Sequence, residues 1–249
     1  STAAWSSARG VSTMTSEALP VATCLVTPRT ETICDMRIPR WCVVLALTLT
    51  AWLAPGFHAN AESVVLVLGD SLSAGYGLPA GRGWVDLLAQ RVSRDSPGYR
   101  VVNASISGET TEGGRNRLAP LLARHRPAVV IVELGANDGL RGTDLTVTRT
   151  HLRSIIASSQ GAGARTLVIG MRIPPNYGPD YTTRFARLFG EIATETKSAL
   201  VPFLMDGFAE RRDLFQEDGI HPAVAAQPLM LDTVWPKLRP LLAKPPRRR

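Results

Sequence analysis

The chain has 249 residues, is 45% hydrophobic and carries a formal charge of +7. That is enough apolar material for one sizeable core. The excess charge is partly a tail, Arg247-Arg248-Arg249 after Pro245-Pro246. With no aromatic-interleaved basic patch elsewhere, it reads as a solvated terminus, and nucleic-acid binding is not expected.

Residues 1–35 are Ser-, Thr- and Ala-rich without periodicity and read as a non-native leader or a misassigned start. Met36-Arg37-Ile38-Pro39-Arg40 opens a basic start, the apolar run Trp41–Leu53 follows, and Ala59-Asn60-Ala61 forms an A-x-A site. Residues 36–61 therefore read as a secretory signal peptide, cleaved after Ala61, which places the mature protein in the periplasm or outside the cell. The apolar run is shorter than the ~20 residues of a membrane span, so no transmembrane anchor is expected. Cys24, Cys34 and Cys42 all precede Glu62. The mature part would then fold without disulfides, with no thiol catalyst and no Cys-ligated metal. One domain is expected over 62–243 and a basic tail over 244–249.

Beyond Glu62, strand and helix patterns alternate. Val64–Leu68 reads as a buried strand and breaks at Gly69-Asp70-Ser71. Gly83–Arg94 is predicted as a helix, Arg100–Ile106 as a strand and Gly113–Arg126 as a helix despite Pro120. Ala128–Leu134 is predicted as a strand closed by Gly135–Gly139, then Leu145–Ser159 as a helix and Thr166–Met171 as a strand. A Pro- and Tyr-containing loop, Ile173–Tyr181, precedes a helix over Arg184–Thr196, a strand over Ala199–Leu204 and a terminal helix over Pro228–Leu242. This alternation predicts an α/β domain, a parallel sheet with helices on both faces.

Polar residues gather where strands end: Ser71, Gly108 and Asn137. In an open parallel sheet those ends share one edge, where ligands bind. Asp218-Gly219-Ile220-His221-Pro222 adds an Asp three residues before a His. Its carboxylate can hold the imidazole Nδ1–H and leave Nε2 to take a proton from Ser71, giving nucleophile, base and orienter. The Ser71 and Gly108 backbone N–H groups and the Asn137 amide would offer donors to an oxyanion. Each residue alone has an ordinary alternative: a turn serine, a capping aspartate, a surface histidine, a positive-φ glycine, a turn asparagine. Asp70 and Asp138 read as turn braces, and His125 and His151 as solvated or capping side chains. Neither a G-x-S-x-G elbow, a phosphate-binding G-x-x-x-x-G-K-[ST], an H-E-x-x-H nor a G-x-G-x-x-G occurs.

Gly69-Asp70-Ser71-Leu72, Gly108, Gly135-x-Asn137-Asp138 and Asp218-x-x-His221, in that order, resemble the four signature blocks of the SGNH (GDSL) hydrolases. The resemblance is greatest to the periplasmic thioesterase/lysophospholipase/arylesterase group and covers most of Val64–Leu242. It implies a single three-layer α/β/α domain with a flavodoxin-like parallel sheet of about five strands. It further implies a monomer needing no metal or cofactor, with Ser71, Asp218 and His221 as triad and Ser71, Gly108 and Asn137 as oxyanion hole. By the same resemblance, Gly139–Gly142 shifts when an acyl chain binds, and Gly139, Leu140, Ile173 and Tyr177 touch the substrate. The implied substrates are acyl esters or thioesters, lysophospholipid among them. A carbohydrate acetylesterase and a non-catalytic acyl- or lipid-binding protein remain as alternatives.

Overall fold

In the computed structural model, which describes residues 62–242, strand β1 (Ser63–Gly69) lies inside a five-stranded sheet. Its residues from Val64 onward are buried, as expected of a parallel strand covered on both faces. The other strands are β2 (Tyr99–Asn103), β3 (Val129–Glu133), β4 (Arg165–Ile169) and β5 (Ala199–Val201). All pairs are parallel and the order is β2-β1-β3-β4-β5. The chain steps outward from β1 to β2 and then returns to β3 on the other side. The carboxyl ends of β1 and β3 therefore flank a topological switch point.

The helices are α1 (Ser71–Ala74), α2 (Trp84–Asp95), α3 (Thr111–His125), α4 (Ala136–Leu140), α5 (Leu145–Gly161), α6 (Pro179–Thr196) and α7 (Gln227–Leu238). α2 packs on α7, while α5 packs against both α3 and α6. α2 buries Trp84, Val85, Leu88 and Val92, a stripe at helical spacing. α6 buries Phe185, Leu188, Phe189 and Ile192, with the two phenylalanine rings edge-on at 5.3 Å. The result is a three-layer α/β/α arrangement, as the alternating pattern predicts. Among the described residues no helix is long and apolar enough to cross a membrane. The stretches read as a leader, a signal peptide and a basic tail lie outside the described residues.

Several boundaries differ from expectation, each for a local reason. β2 ends at Asn103 rather than Ile106, because the Asn103 side chain turns to accept from Ser105 N–H and donate to the Ser73 carbonyl. The N–H groups of Ala104 and Ile106 still donate to the carbonyls of Val67 and Gly69, so this loop stays beside β1. β5 stops at Val201, before Pro202, which has no N–H for the ladder. α6 begins at Pro179, a favoured first helical residue, so Tyr181 is helical rather than part of the loop. α7 gives way at Leu238 to a 3₁₀ turn, Arg239–Leu242. The short helices α1 and α4 stand where the sequence pattern predicts only the break at Gly69-Asp70-Ser71 and the closing segment Gly135–Gly139.

Gly69 sits opposite Glu133 in the β1–β3 register. A Cβ there would lie 2.8 Å from Glu133 Oε2 and 2.8 Å from Ser73 Oγ. Both neighbours are buried and cannot swing away. Gly69→Ala is therefore expected to cost about 1–3 kcal/mol of stability by overpacking, a fall of about 2–4 °C in Tm per kcal/mol. Thermal unfolding followed by circular dichroism checks this.

Candidate active site

Ser71 is the first residue of α1, directly after β1. Asp70 caps this helix: its Oδ1 accepts from Leu72 N–H at 3.0 Å. The cap makes so short a helix hold its place, and Ser71 is presented at the sheet edge with its N–H outside any intrahelical bond.

His221 reaches Ser71 from a distant part of the chain. Residues 214–223 fold back on themselves through an antiparallel bridge between Phe215 and Pro222, with Gln216 N–H donating to the His221 carbonyl at 2.8 Å. Gly219, at φ +68°, makes the turn at the tip. Gln227, buried at the start of α7, donates to the Pro222 and Ala223 carbonyls and accepts from Trp84 N–H, tying the hairpin to α2.

The three side chains form one hydrogen-bonded chain. His221 Nε2 lies 2.8 Å from Ser71 Oγ, and His221 Nδ1 lies 2.7 Å from Asp218 Oδ2. A carboxylate only accepts, so Nδ1 carries the proton and Nε2 is free to accept from the serine hydroxyl. Asp218 Oδ1 accepts from the N–H groups of Ile220 and His221, at 2.8 and 3.0 Å. Asp218 thus caps its own turn with one oxygen and holds the imidazole with the other. Desolvation works to raise the Asp218 pKa, but the hydrogen bonds from His221 and Ile220 prevail and hold it at about 2. The phenol ring of Tyr76 leans on the imidazole at 4.6 Å between centroids, and Gln216 Nε2 fixes the Tyr76 carbonyl.

A depressed carboxylate stabilises the fold above its unfolded value of 3.8, and that stabilisation is lost as the pH falls through about 2. Asp218→Asn is therefore expected to lower the urea midpoint at pH 7, with the difference from the parent shrinking below pH 4 and vanishing only below about pH 2. The side chain is 38% exposed, so the effect on stability is small. Urea titrations across this pH range measure it.

Gly108 and Asn137 arrive on neighbouring loops. Gly108 has φ +79° with open space where a side chain would stand, so glycine is required there by backbone conformation, not by crowding. Asn137, in α4 after β3, donates from Nδ2 to Asp70 Oδ2 at 3.2 Å and to the Glu109 carbonyl at 2.9 Å. That one amide joins the loops after β1, β2 and β3. Arg117 holds the Glu109 side chain at 2.6 Å and also donates to the Ala104 carbonyl, and Arg141 donates to the Gly108 carbonyl at 3.0 Å. Asp138 does more than brace its own turn. It accepts from Thr111 N–H at 2.9 Å and Thr111 O–H at 2.6 Å, locking α4 to the start of α3. His151 is not a solvated side chain: it is half-buried, with Nδ1 3.3 Å from Thr111 Oγ1 at the end of this network. Because the hydroxyl donates to Asp138, the imidazole is the donor in that contact.

The four residues expected to touch substrate do meet. Tyr177 O–H donates to the Leu140 carbonyl at 2.9 Å, and Gly139 packs so close to Ile173 and Phe185 that a Cβ would stand 2.9 Å and 2.7 Å from them. Ile173 is buried and Gly139 is buried, whereas Leu140 is half-buried and Tyr177 exposed. Tyr181 O–H donates to the Thr143 carbonyl at 3.0 Å, a second tie on the 139–143 segment.

Sequence reasoning missed Glu133. It is fully buried at the end of β3, where Oε2 accepts from Ser73 O–H at 2.6 Å and from Asp70 N–H at 3.3 Å. The available signal was a carboxylate inside the otherwise apolar run AVVIVEL. Burial, reinforced by the charge of Asp70, pushes Glu133 well above the carboxylate range, and burial pushes Asp70 up to about 6. Among the described residues no group of three or more His, Cys, Asp or Glu side chains is placed to hold a metal ion. Two surface hollows, one lined by Arg91, Trp235 and Pro236 and the other by residues of α6 with Leu200 and Pro202, hold none of Ser71, His221 and Asp218.

A Ser–His–Asp chain at the switch point of a flavodoxin-like sheet defines a class, the SGNH-type hydrolases. Residues 67–227 match the GDSL-like Lipase/Acylhydrolase family. The chain is similar to Esterase TesA of Pseudomonas aeruginosa, 49% identical over 182 residues, which covers 73% of this chain and 90% of that protein. It is likewise similar to Thioesterase 1/protease 1/lysophospholipase L1 of Escherichia coli K12, 41% identical over 75% of this chain and 88% of that one. A crystal structure of TesA superposes with a TM-score of 0.70 over 72% of this chain and 99% of its own. The chain belongs to the GDSL-like lipase/acylhydrolase family and is an esterase/thioesterase-type hydrolase.

Proposed function

We propose that Ser71 is the nucleophile of an acyl-enzyme mechanism and that the substrates are carboxylic esters and acyl thioesters, lysophospholipids among them. The observation that carries this reading is the continuous Asp218–His221–Ser71 hydrogen-bond chain. His221 Nε2 takes the Ser71 proton as Oγ attacks the carbonyl carbon. The oxyanion so formed is held by Ser71 N–H, Gly108 N–H and Asn137 Nδ2. In the free enzyme Asn137 also bonds the Glu109 carbonyl, which the oxyanion displaces. Collapse breaks the bond to the leaving group, and His221 returns the proton to that alcohol or thiol. Water, losing a proton to His221, then attacks the acyl-enzyme, and as the bond to Ser71 Oγ breaks His221 returns that proton to it, releasing the acid and free Ser71.

An acyl chain needs apolar surface beside the nucleophile. Among the described residues six large apolar side chains are exposed, and four of them, Tyr76, Ile106, Tyr177 and Ile220, stand on loops around this site. Tyr76 packs on His221, Ile220 precedes it, Ile106 lies two residues before Gly108, and Tyr177 is bonded to Leu140. This supports Leu140 and Tyr177 as substrate contacts. Every group in the scheme comes from one chain, consistent with an active monomer. The signal-like stretch 36–61 supports action after export, and intact mass of secreted protein, starting at Glu62, tests that.

The reading predicts a maximum of kcat/KM at medium or long chains across p-nitrophenyl esters from acetate to palmitate. A sharp preference for acetate would instead support a carbohydrate acetylesterase with a small acyl pocket.

A further inference from the structure

We propose that Glu133 and Asp70 hold one proton between them, that it resides on Glu133, and that the ionised Asp70 is a positioning residue for the Asn137 amide. The second half rests on Asn137 serving as an oxyanion donor.

The placement follows from counting donors. Asp70 is buried, and both its oxygens face donors: Oδ1 faces Leu72 N–H and Oδ2 faces Asn137 Nδ2. Both oxygens thus serve as acceptors, and an ionised, acceptor-only carboxylate satisfies the two donors best. Glu133 is arranged differently. Its Oε2 accepts from Ser73 O–H and Asp70 N–H, but Oε1 is buried with no partner. An ionised Glu133 would leave charge on a bare oxygen away from water, whereas a carboxylic acid leaves only a neutral hydroxyl there. The negative charge of Asp70 further disfavours a second charge on Glu133.

The surroundings agree. Asp138 from α4 and His221 from the 214–223 hairpin act on Asp70, and the Asp70 charge in turn raises Glu133 on β3. His221 favours the charged Asp70, most of all when the imidazole holds the serine proton. Glu133 is packed against Gly69 and Ser73, where a side chain on residue 69 would collide with it. The device therefore occupies the gap that Gly69 leaves in β1.

For Asn137 this has a consequence. Of its two bonds, the one to Asp70 is charge-assisted and persists, while the one to the neutral Glu109 carbonyl gives way to the oxyanion. Asp70 thus fixes one amide hydrogen so that the other is already aimed.

Two measurements test this. In infrared difference spectra at pH 7, the parent protein shows the carbonyl stretch of a protonated carboxylic acid, shifted in D₂O. Glu133→Gln removes that band and Asp70→Asn does not. In kinetics, Asp70→Asn lowers kcat by about tenfold or more with KM little changed, within the 10²–10³ that a whole oxyanion donor contributes. In an Asn137→Ala background the same substitution causes little further loss, because its target is gone. Absence of the band, or its survival in Glu133→Gln, overturns the proton placement whatever the kinetics show. Losses from Asp70→Asn and Asn137→Ala that multiply in the double variant overturn the positioning role. The infrared result stands even if Asp70→Asn does not fold. Full activity of Asn137→Ala would instead overturn the oxyanion reading and leave the proton placement intact.

Discussion

Ser71→Ala is expected to lower kcat on p-nitrophenyl butyrate by a factor on the order of 10⁴–10⁶ while folding normally. In the proposed mechanism the hydroxyl oxygen becomes bonded to the acyl group, and alanine has no atom to replace it. His221 Nε2 loses a 2.8 Å partner at a half-buried position, a loss that water can fill, so the effect on stability is small. His221→Ala should fall in the same range, and the double variant should be little worse than either alone, because nucleophile and base act as a unit. Asp218→Asn should cost less than either, since it leaves the imidazole in place and removes only its orienting carboxylate. Steady-state kinetics on the three single variants and the Ser71→Ala/His221→Ala double variant, with circular dichroism to confirm folding, check the pattern. Independent, multiplying losses would contradict a shared relay.

Asn137→Ala is the second large effect. It should lower kcat about 10²–10³-fold, equivalent to about 3–4 kcal/mol of transition-state stabilisation, with KM changed much less. The amide donates fully only when negative charge develops on the carbonyl oxygen, so its loss falls on kcat. Alanine suits the helical backbone of α4, and Asp138 continues to anchor that helix to Thr111. Asn137→Asp should be worse than alanine. It sets a carboxylate against the Asp70 carboxylate and against the oxyanion, replacing attraction with repulsion. Paired kcat and KM measurements on both variants decide this. A loss carried by KM instead would make Asn137 a ground-state binding residue.

What the sequence made legible was whatever repeats with the period of an element or sits at its end. The apolar runs of β1, β3 and β4 are visible because these strands are buried on both faces. The helix stripes of α2 and α6 are visible because one face of each is covered. Ser71, Gly108 and Asn137 stood out as site candidates because they follow strand ends, which a parallel sheet gathers on one edge. α1 and α4 are not legible: at four and five residues they are too short for periodicity, and they depend on the Asp70 cap and on the long-range tie from Asp138 to Thr111. His151 looked like a solvated helix residue because its contact with Thr111 spans 40 positions in sequence. Glu133 was read as part of a strand, and only the register that sets it against Gly69, beside Ser73, gives it a role. Tyr76 and Gln216 likewise acquire their places only once the 214–223 hairpin folds over α1.

The most direct test of the mechanism is labelling with a fluorophosphonate, read by intact mass and by peptide mapping. The account predicts one adduct per folded chain, on Ser71, absent in Ser71→Ala and slowed strongly in His221→Ala. Folded protein that takes no label, or takes it on a residue other than Ser71, would contradict the assignment of Ser71 as nucleophile.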